Sequence, residues 1–394
     1  MKLSRSLGVA VLCTALVVTQ SPAHASSTSS APVSSSANSI VASLTAAIAN
    51  SPSSSDTTIS NAARLAQSLG LPSVRIPSAF GSSDSEYPLP TNPNITKAEV
   101  LSRTVEPTIP NLERWVVASP AMQRNVEVVV RVAKDTAVPS PVLYLLDGIG
   151  GMRNPGWVRE GGLHPALGDQ NVSVVMPTQA LASLYSDWLT DDPALGHLKW
   201  ETFITKELTK LVEDPAQKLN FNGKRAIGGL SMGAIGAVHI ANQNPDLFKG
   251  VFGISGCYST QEPVGRLTTK LVVESRGGNV NNMWGPDGSE LWKRHDVPSN
   301  PEGLRNMAVY LASADGGVLP SDLEHAASRP FYELPVAVAL EQGTLHCTKL
   351  LDSAMRARGM NHQVVDLLQG GVHDWPLFNR QLRPAWDAIK GVLY

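Results

Sequence analysis

The chain has 394 residues, which at ~100 to 200 residues per domain leaves room for two domains or one large α/β domain with appendages and excludes a single small module. Apolar residues make up 42% and charged residues 17%, ordinary globular usage that excludes a wholly disordered chain. With 32 basic against 34 acidic residues the balance is −2, so neither a basic nucleic-acid binder nor an acidic tail protein is indicated, and three cysteines are too few for a disulfide-built scaffold.

In chain order, residues 1–25 read as a secretory signal: Lys2 and Arg5 are the charged start, Leu7 to Val18 the apolar stretch, and Ala23-His24-Ala25 a small-x-small cleavage site. The apolar run is shorter than the ~20 residues of a spanning helix, and no later stretch is long and apolar enough, so an exported protein with no transmembrane helix in its mature chain is expected. Cys13 would leave with the signal. Residues 26–94 read as a flexible spacer, dominated by Ser, Ala and Thr to about Asp56 and rich in Pro and Ser from Pro72 to Pro93, with room for a short helix at Ile40 to Ile48 or Ala62 to Leu69. The folded domain is expected over 95–394.

Within that domain short apolar runs alternate with amphipathic segments, which argues for an α/β fold with a mostly parallel central sheet and helices on both faces. Strands are predicted at Trp115 to Ala118, Val126 to Val132, Val142 to Leu146, Val172 to Met176, Arg225 to Gly228, Gly250 to Ile254, Ala308 to Ala312 and Gln363 to Leu368. Helical spacing marks Trp200 to Val212, Gly233 to Gln243, Val336 to Arg358 and Pro376 to Val392. No helix separates the first two strands, so the sheet should open antiparallel.

The stretch that carries chemistry is Gly229-Leu230-Ser231-Met232-Gly233, set between a predicted strand and a predicted helix. G-x-S-x-G in a strand-turn-helix setting forces a sharp turn that exposes the serine Oγ at the carboxyl edge of the sheet. A serine hydroxyl needs a base and the base an orienting carboxylate, in the chain order Ser, acid, His. His373, after the last strand and before the last helix, is the base candidate; His24 leaves with the signal, and the remaining histidines lie on less suitable segments. For the acid, Asp315, Asp322, Glu324, Glu341 and Asp366 all lie in the permitted interval. Asp315, just past a strand, is the ordinary choice and Glu341, inside a helical segment, an unusual one; spacing and periodicity leave this open. The oxyanion donors should be the backbone N–H of Met232 and of Ile149, the latter in the loop after the Val142 to Leu146 strand. No H-E-x-x-H and no phosphate-binding loop appears, so neither metal nor cofactor is called for.

At these residues the chain resembles the mycolyltransferases of the antigen 85 type, in the esterase branch of the α/β-hydrolases. The matching stretches are Tyr144-Leu145-Leu146-Asp147-Gly148, Val175-Met176-Pro177, Tyr185-Ser186-Asp187-Trp188, Lys199-Trp200-Glu201-Thr202-Phe203, Gly229 to Met232, Met283-Trp284-Gly285-Pro286, Trp292-Lys293-Arg294 and His373-Asp374-Trp375-Pro376. The resemblance implies Glu341 as the acid, with Asp315 as runner-up, and Asp147 and Trp375 as lining of a sugar site. It implies transfer of a mycoloyl group from trehalose monomycolate, through an ester on Ser231, to trehalose or another envelope hydroxyl, in a secreted, envelope-associated protein with no nucleic-acid partner. Where the family carries an arginine after the oxyanion residue this chain has Gly150; Arg153 stands three residues on as a substitute, and the acceptor is left open. The long spacer points to a corynebacterial relative. Cys257 and Cys347 should both approach the rim of the site and, in an exported protein, could form a disulfide pinning the helix of the acid; the alternative is two independent buried thiols. The rival readings are a secreted carboxylesterase using the same triad and an inactive cell-wall binding protein on the same fold.

Overall fold

A strand buried on both faces needs no polar alternation, and four short apolar runs in this chain have that character. They are four of the inner strands of a single nine-stranded sheet in the computed structural model, which describes residues 83–329 and 333–394. The signal, with Cys13, and the spacer as far as residue 82, including both short helical stretches considered there, lie outside the described residues. The strands are β1 (Glu99–Val105), β2 (Leu112–Ser119), β3 (Arg124–Arg131), β4 (Ser140–Leu146), β5 (Ser173–Pro177), β6 (Phe221–Leu230), β7 (Gly250–Ile254), β8 (Ala308–Ala314) and β9 (Val364–Leu368). Their order is β1-β2-β3-β5-β4-β6-β7-β8-β9. Pairings from β1 through β3 to β5 are antiparallel, and every pairing from β5 through β4 to β9 is parallel.

The antiparallel opening and the parallel remainder agree with the sequence reading, with one strand added. β1 was not anticipated because its sequence, EVLSRTV, is polar and mostly exposed, as suits an edge strand that packs on one side only. Residues 200–212, expected as a plain helix, run as an α-turn at Trp200–Thr202, a π-helical stretch at Phe203–Leu208 and a further α-turn at Thr209–Val212; this segment is α1. The other long helices are α2 (Met232–Gln243), α3 (Pro263–Glu274), α4 (Glu333–Ala357) and α5 (Trp375–Ile389).

Alternate residues of one strand point to opposite faces, and β4 shows how that divides the core. Val142, Tyr144 and Leu146 join one apolar cluster with Val238 and Ile240 of α2 and Cys347 and Leu351 of α4. Leu143 and Leu145 join the other, with Leu377, Phe378, Leu382 and Trp386 of α5. Helices therefore cover both faces. Each such fully buried large apolar side chain contributes roughly 1.5–3 kcal/mol relative to exposure, so the sheet is fixed well enough to serve as a rigid platform for the loops at its carboxyl edge.

Cys257, in the loop after β7, is disulfide-bonded to Cys347 on α4, a closure over 90 residues, and both are buried. The bond ties α4 to the loop that follows β7, at the carboxyl end of the sheet. Closing a loop of this length removes entropy from the unfolded chain, and reduction is expected to lower unfolding stability by about 2–4 kcal/mol, measured by denaturant titration with and without reductant.

Candidate active site

β6 ends and α2 begins on consecutive residues around Ser231, which can happen only if the chain turns within one residue. Ser231 does so with φ 51° and ψ −121°, a left-handed conformation that costs a non-glycine residue about 1–3 kcal/mol. The flanking glycines make room for it. A Cβ on Gly229 would lie 2.5 Å from the carbonyl carbon of Gly233, and one on Gly233 would lie 2.5 Å from the Asp147 carbonyl oxygen. The Ser231 N–H donates to the Ile254 carbonyl at 2.9 Å, locking the turn to the end of β7. Met232, next in line, opens α2, whose first N–H groups have no partner within the helix and carry its positive end.

His373 lies in the loop between β9 and α5. Its Nε2 is 2.8 Å from Ser231 Oγ and its Nδ1 2.9 Å from Glu341 Oε2. These partners favour the tautomer with the proton on Nδ1, donated to the carboxylate, leaving the Nε2 lone pair to accept from the serine hydroxyl. The ring is held edge-on by Phe378 at 5.2 Å, and the His373 N–H donates to the Ala337 carbonyl on α4 at 3.1 Å.

Glu341 reaches this place from the middle of α4, completely buried. A buried carboxylate must have its lone pairs occupied. Its Oε1 accepts from Ser255 Oγ at 2.8 Å, Ser313 Oγ at 2.8 Å and the Ala314 N–H at 2.7 Å, while Oε2 faces the histidine. Ser255 follows β7, and Ser313 and Ala314 end β8, so adjacent strand ends build the carboxylate's socket. Sequence reasoning passed over these two serines; the available signal was a small hydroxyl residue at the carboxyl end of each of two neighbouring strands. Asp315, the alternative acid, is exposed and turned elsewhere. Its Oδ1 accepts from the N–H groups of Gly317 at 2.8 Å and Gly370 at 2.9 Å, so it supports the loop that carries His373.

The loop after β4 forms the opposite wall. Asp147 accepts from the Gly148 N–H at 2.8 Å and the Gly156 N–H at 2.6 Å, and burial raises its carboxyl above the ordinary range. The half-buried Trp375 indole lies against Gly156, where an added Cβ would come 2.0 Å from the ring, and meets Trp157 edge-on at 5.7 Å. Asp147, Gly156 and Trp375 thus make one continuous surface beside Gly148 and Ile149. The Ile149 carbonyl accepts from the Ala182 N–H at 3.2 Å. Arg153 is ion-paired with Glu127 at the surface.

Among the described residues, one further group has metal-ligand chemistry: Glu201, His239 and His295, all buried, with candidate ligand atoms within 4.8 Å of one another. Glu201 is paired with Arg294 at 2.9 Å, and burial together with the neighbouring His239 holds the His295 ring well below the usual imidazole range. The two imidazoles stack face to face at 3.9 Å with an interplanar angle of 19°, and His295 is sandwiched against Trp284 at 4.0 Å.

A hydroxyl made nucleophilic by a histidine, itself oriented by a buried carboxylate, can take an acyl group from an ester and hand it on. The fold and this site define an acyl-transfer enzyme of the α/β-hydrolase class. The Esterase family model matches residues 119–388. The diacylglycerol acyltransferase/mycolyltransferase Ag85A of Mycobacterium leprae is 30% identical over 295 residues, covering 72% of this chain and 83% of that protein. Its counterpart from Mycobacterium gordonae is 31% identical over 288 residues, covering 70% and 78%. Among solved structures, MPT51 of Mycobacterium tuberculosis superposes with a TM-score of 0.57 at 24% identity, over 70% of this chain and 96% of that one. An S-formylglutathione hydrolase from Agrobacterium tumefaciens shares the fold with a TM-score of 0.52 at 16% identity, over 75% and 100%. The chain belongs to the antigen 85 mycolyltransferases, within the esterase family.

The two carboxylates separate cleanly by substitution. Glu341→Gln, which removes the charge that orients the ring and favours the wrong tautomer, should lower ester turnover by about 10³- to 10⁴-fold. Asp315→Asn retains an acceptor oxygen for Gly317 and Gly370 and should cost less than about ten-fold, both read from steady-state rates on a chromogenic ester.

Proposed function

We propose that the protein is a secreted mycolyltransferase that moves a mycoloyl group from trehalose monomycolate to trehalose or another envelope hydroxyl through an ester on Ser231. The observation that carries this reading is the continuous hydrogen-bonded line from Ser231 Oγ through His373 to Glu341, in a chain whose relatives are named as mycolyltransferases. Ser231 Oγ attacks the ester carbonyl and its proton passes to His373 Nε2. The oxyanion is held by the N–H groups of Met232 and Ile149, each worth ~2.7–4 kcal/mol of transition-state stabilisation. Collapse of the tetrahedral intermediate releases trehalose, which takes the proton from His373. An acceptor hydroxyl then gives its proton to the same nitrogen and attacks the mycoloyl ester, freeing Ser231.

Asp147 and Trp375 serve as a carboxylate and an aromatic face for the sugar. Both carboxylate oxygens of Asp147 already accept one backbone N–H, so it would bind a polyol as a rigidly held acceptor. Arg153 reaches the sugar only by leaving Glu127, which makes its contribution the weakest of the three. Export with cleavage after Ala25 and a spacer from Ser26 agree with the Cys257–Cys347 disulfide, a bond that persists in oxidising compartments, and with the described residues holding no helix long and apolar enough to cross a membrane.

A carboxylesterase is the second reading, favoured by Gly150 where the family's sugar-holding arginine would stand. Incubation with trehalose monomycolate decides between them: trehalose dimycolate is the expected product, free mycolic acid alone would make the protein an esterase, and no reaction would leave a binding protein. Ser231→Ala is expected to abolish turnover, by at least about 10⁴-fold, with an unchanged unfolding midpoint.

A further inference from the structure

The end of the presumed spacer lies on the domain, and where it lies has a function. We propose that residues 83–87 are a positioning element for the oxyanion loop, with Tyr87 at its centre; this rests on the reading of the Ile149 N–H as an oxyanion donor. The loop from Asp147 to Arg153 contains no helix or strand to stiffen it, and Gly151 within it has φ +57° with no room for a Cβ, which would lie 2.4 Å from the Leu181 nitrogen. Its geometry is therefore set by what its polar groups bind.

Three of those partners belong to the segment ahead of β1. Ser83 Oγ donates to the Gly151 carbonyl at 3.3 Å, Asp84 Oδ1 accepts from the Arg153 N–H at 2.9 Å, and the Tyr87 hydroxyl shares its one proton between the Gln179 carbonyl at 2.9 Å and the Gly151 carbonyl at 3.3 Å. Gln179 Nε2 in turn donates to Ser85 Oγ at 2.8 Å. Burial pushes the Tyr87 phenol up to about 12, so it remains a donor throughout the working range. Tyr87 thus joins the loop after β4 to the loop after β5, which also reaches the oxyanion residue through the Ala182 N–H on the Ile149 carbonyl. One residue, Gly150, separates Ile149 from the nearest of these anchors, so a slack Gly151 carbonyl lets the Ile149 N–H swing away from the developing oxyanion. The ground-state ester, which depends less on that donor, should bind much as before.

The test uses the full chain and a p-nitrophenyl ester of a short acid. Tyr87→Phe should lower kcat by about ten-fold with KM within about two-fold and an unfolding midpoint within a few degrees, since a small displacement of a transition-state donor acts on rate rather than binding. Should Tyr87→Phe unfold, the exposed Asp84 supplies the answer: Asp84→Ala should lower kcat in the same way, and Asp84→Asn, which keeps an acceptor for the Arg153 N–H, should restore it. Unchanged kcat in Tyr87→Phe and Asp84→Ala, or a fall that only follows lost stability and is not rescued in Asp84→Asn, would overturn the positioning role. Ser231→Ala assayed alongside keeps the two ideas apart, because residual turnover there would refute the acyl-enzyme itself, whatever Tyr87 does.

Discussion

Everything at the carboxyl edge of the sheet is arranged around one buried negative charge. The Glu341 carboxylate sits where the ends of β7 and β8, the middle of α4 and the His373 loop meet, and each of the four supplies a partner or the charge itself. Without Ser255, Ser313 and the Ala314 N–H the carboxylate would be an uncompensated charge in an apolar interior, a cost of several kcal/mol that would expel it or protonate it. With them it can do two things: fix which nitrogen of His373 bears the proton, and oppose the positive charge that appears on the ring when the serine is deprotonated. The disulfide six residues further along α4 and the His373 N–H on the Ala337 carbonyl hold the same helix at two places on either side of the charge.

The sequence made the nucleophile and the base legible for a physical reason: a one-residue strand-to-helix turn demands glycines in fixed places, and a loop after the last strand has few positions from which a histidine can reach it. The strands of the inner sheet were equally legible, because apolar runs buried on both faces have no polar alternation to disguise them. β1 was not, since an edge strand packed on one side looks like any polar stretch. The acid was legible only by resemblance. Its fitness depends on hydroxyl and N–H donors brought together from residues 255 and 313–314, and no local pattern around position 341 encodes them. The segment from 83 to 94 was taken for spacer on its Pro and Ser content, which says that a stretch builds no core of its own and is silent about polar side chains such as Ser83, Asp84 and Tyr87 binding a loop elsewhere in the chain.

The matched stretches of the family motif do different jobs. Asp187 caps the start of α1 by accepting from the Thr202 N–H and hydroxyl, the Trp284 indole donates to Ser186 Oγ, and Trp292 donates to the Gly285 carbonyl. These are scaffold contacts beneath the site. Glu201 with Arg294 belongs to the same layer, and the stacked His239 and His295 lie beside it. A short motif shared with relatives is thus as often a brace as a reacting group, and only its hydrogen-bond partners tell which.

Because the carboxylate's socket is made from strand ends and not from the helix that delivers it, the address of the acid in the chain is separable from its place in space. Any backbone that can extend a side chain into the cleft between Ser255 and Ser313 would meet the same donors. Asp315, one residue beyond Ala314, stands at the brink of that socket and spends its Oδ1 on Gly317 and Gly370 instead. A carboxylate delivered from the strand end would therefore orient His373 as well as one delivered from the helix, provided the two serines stayed.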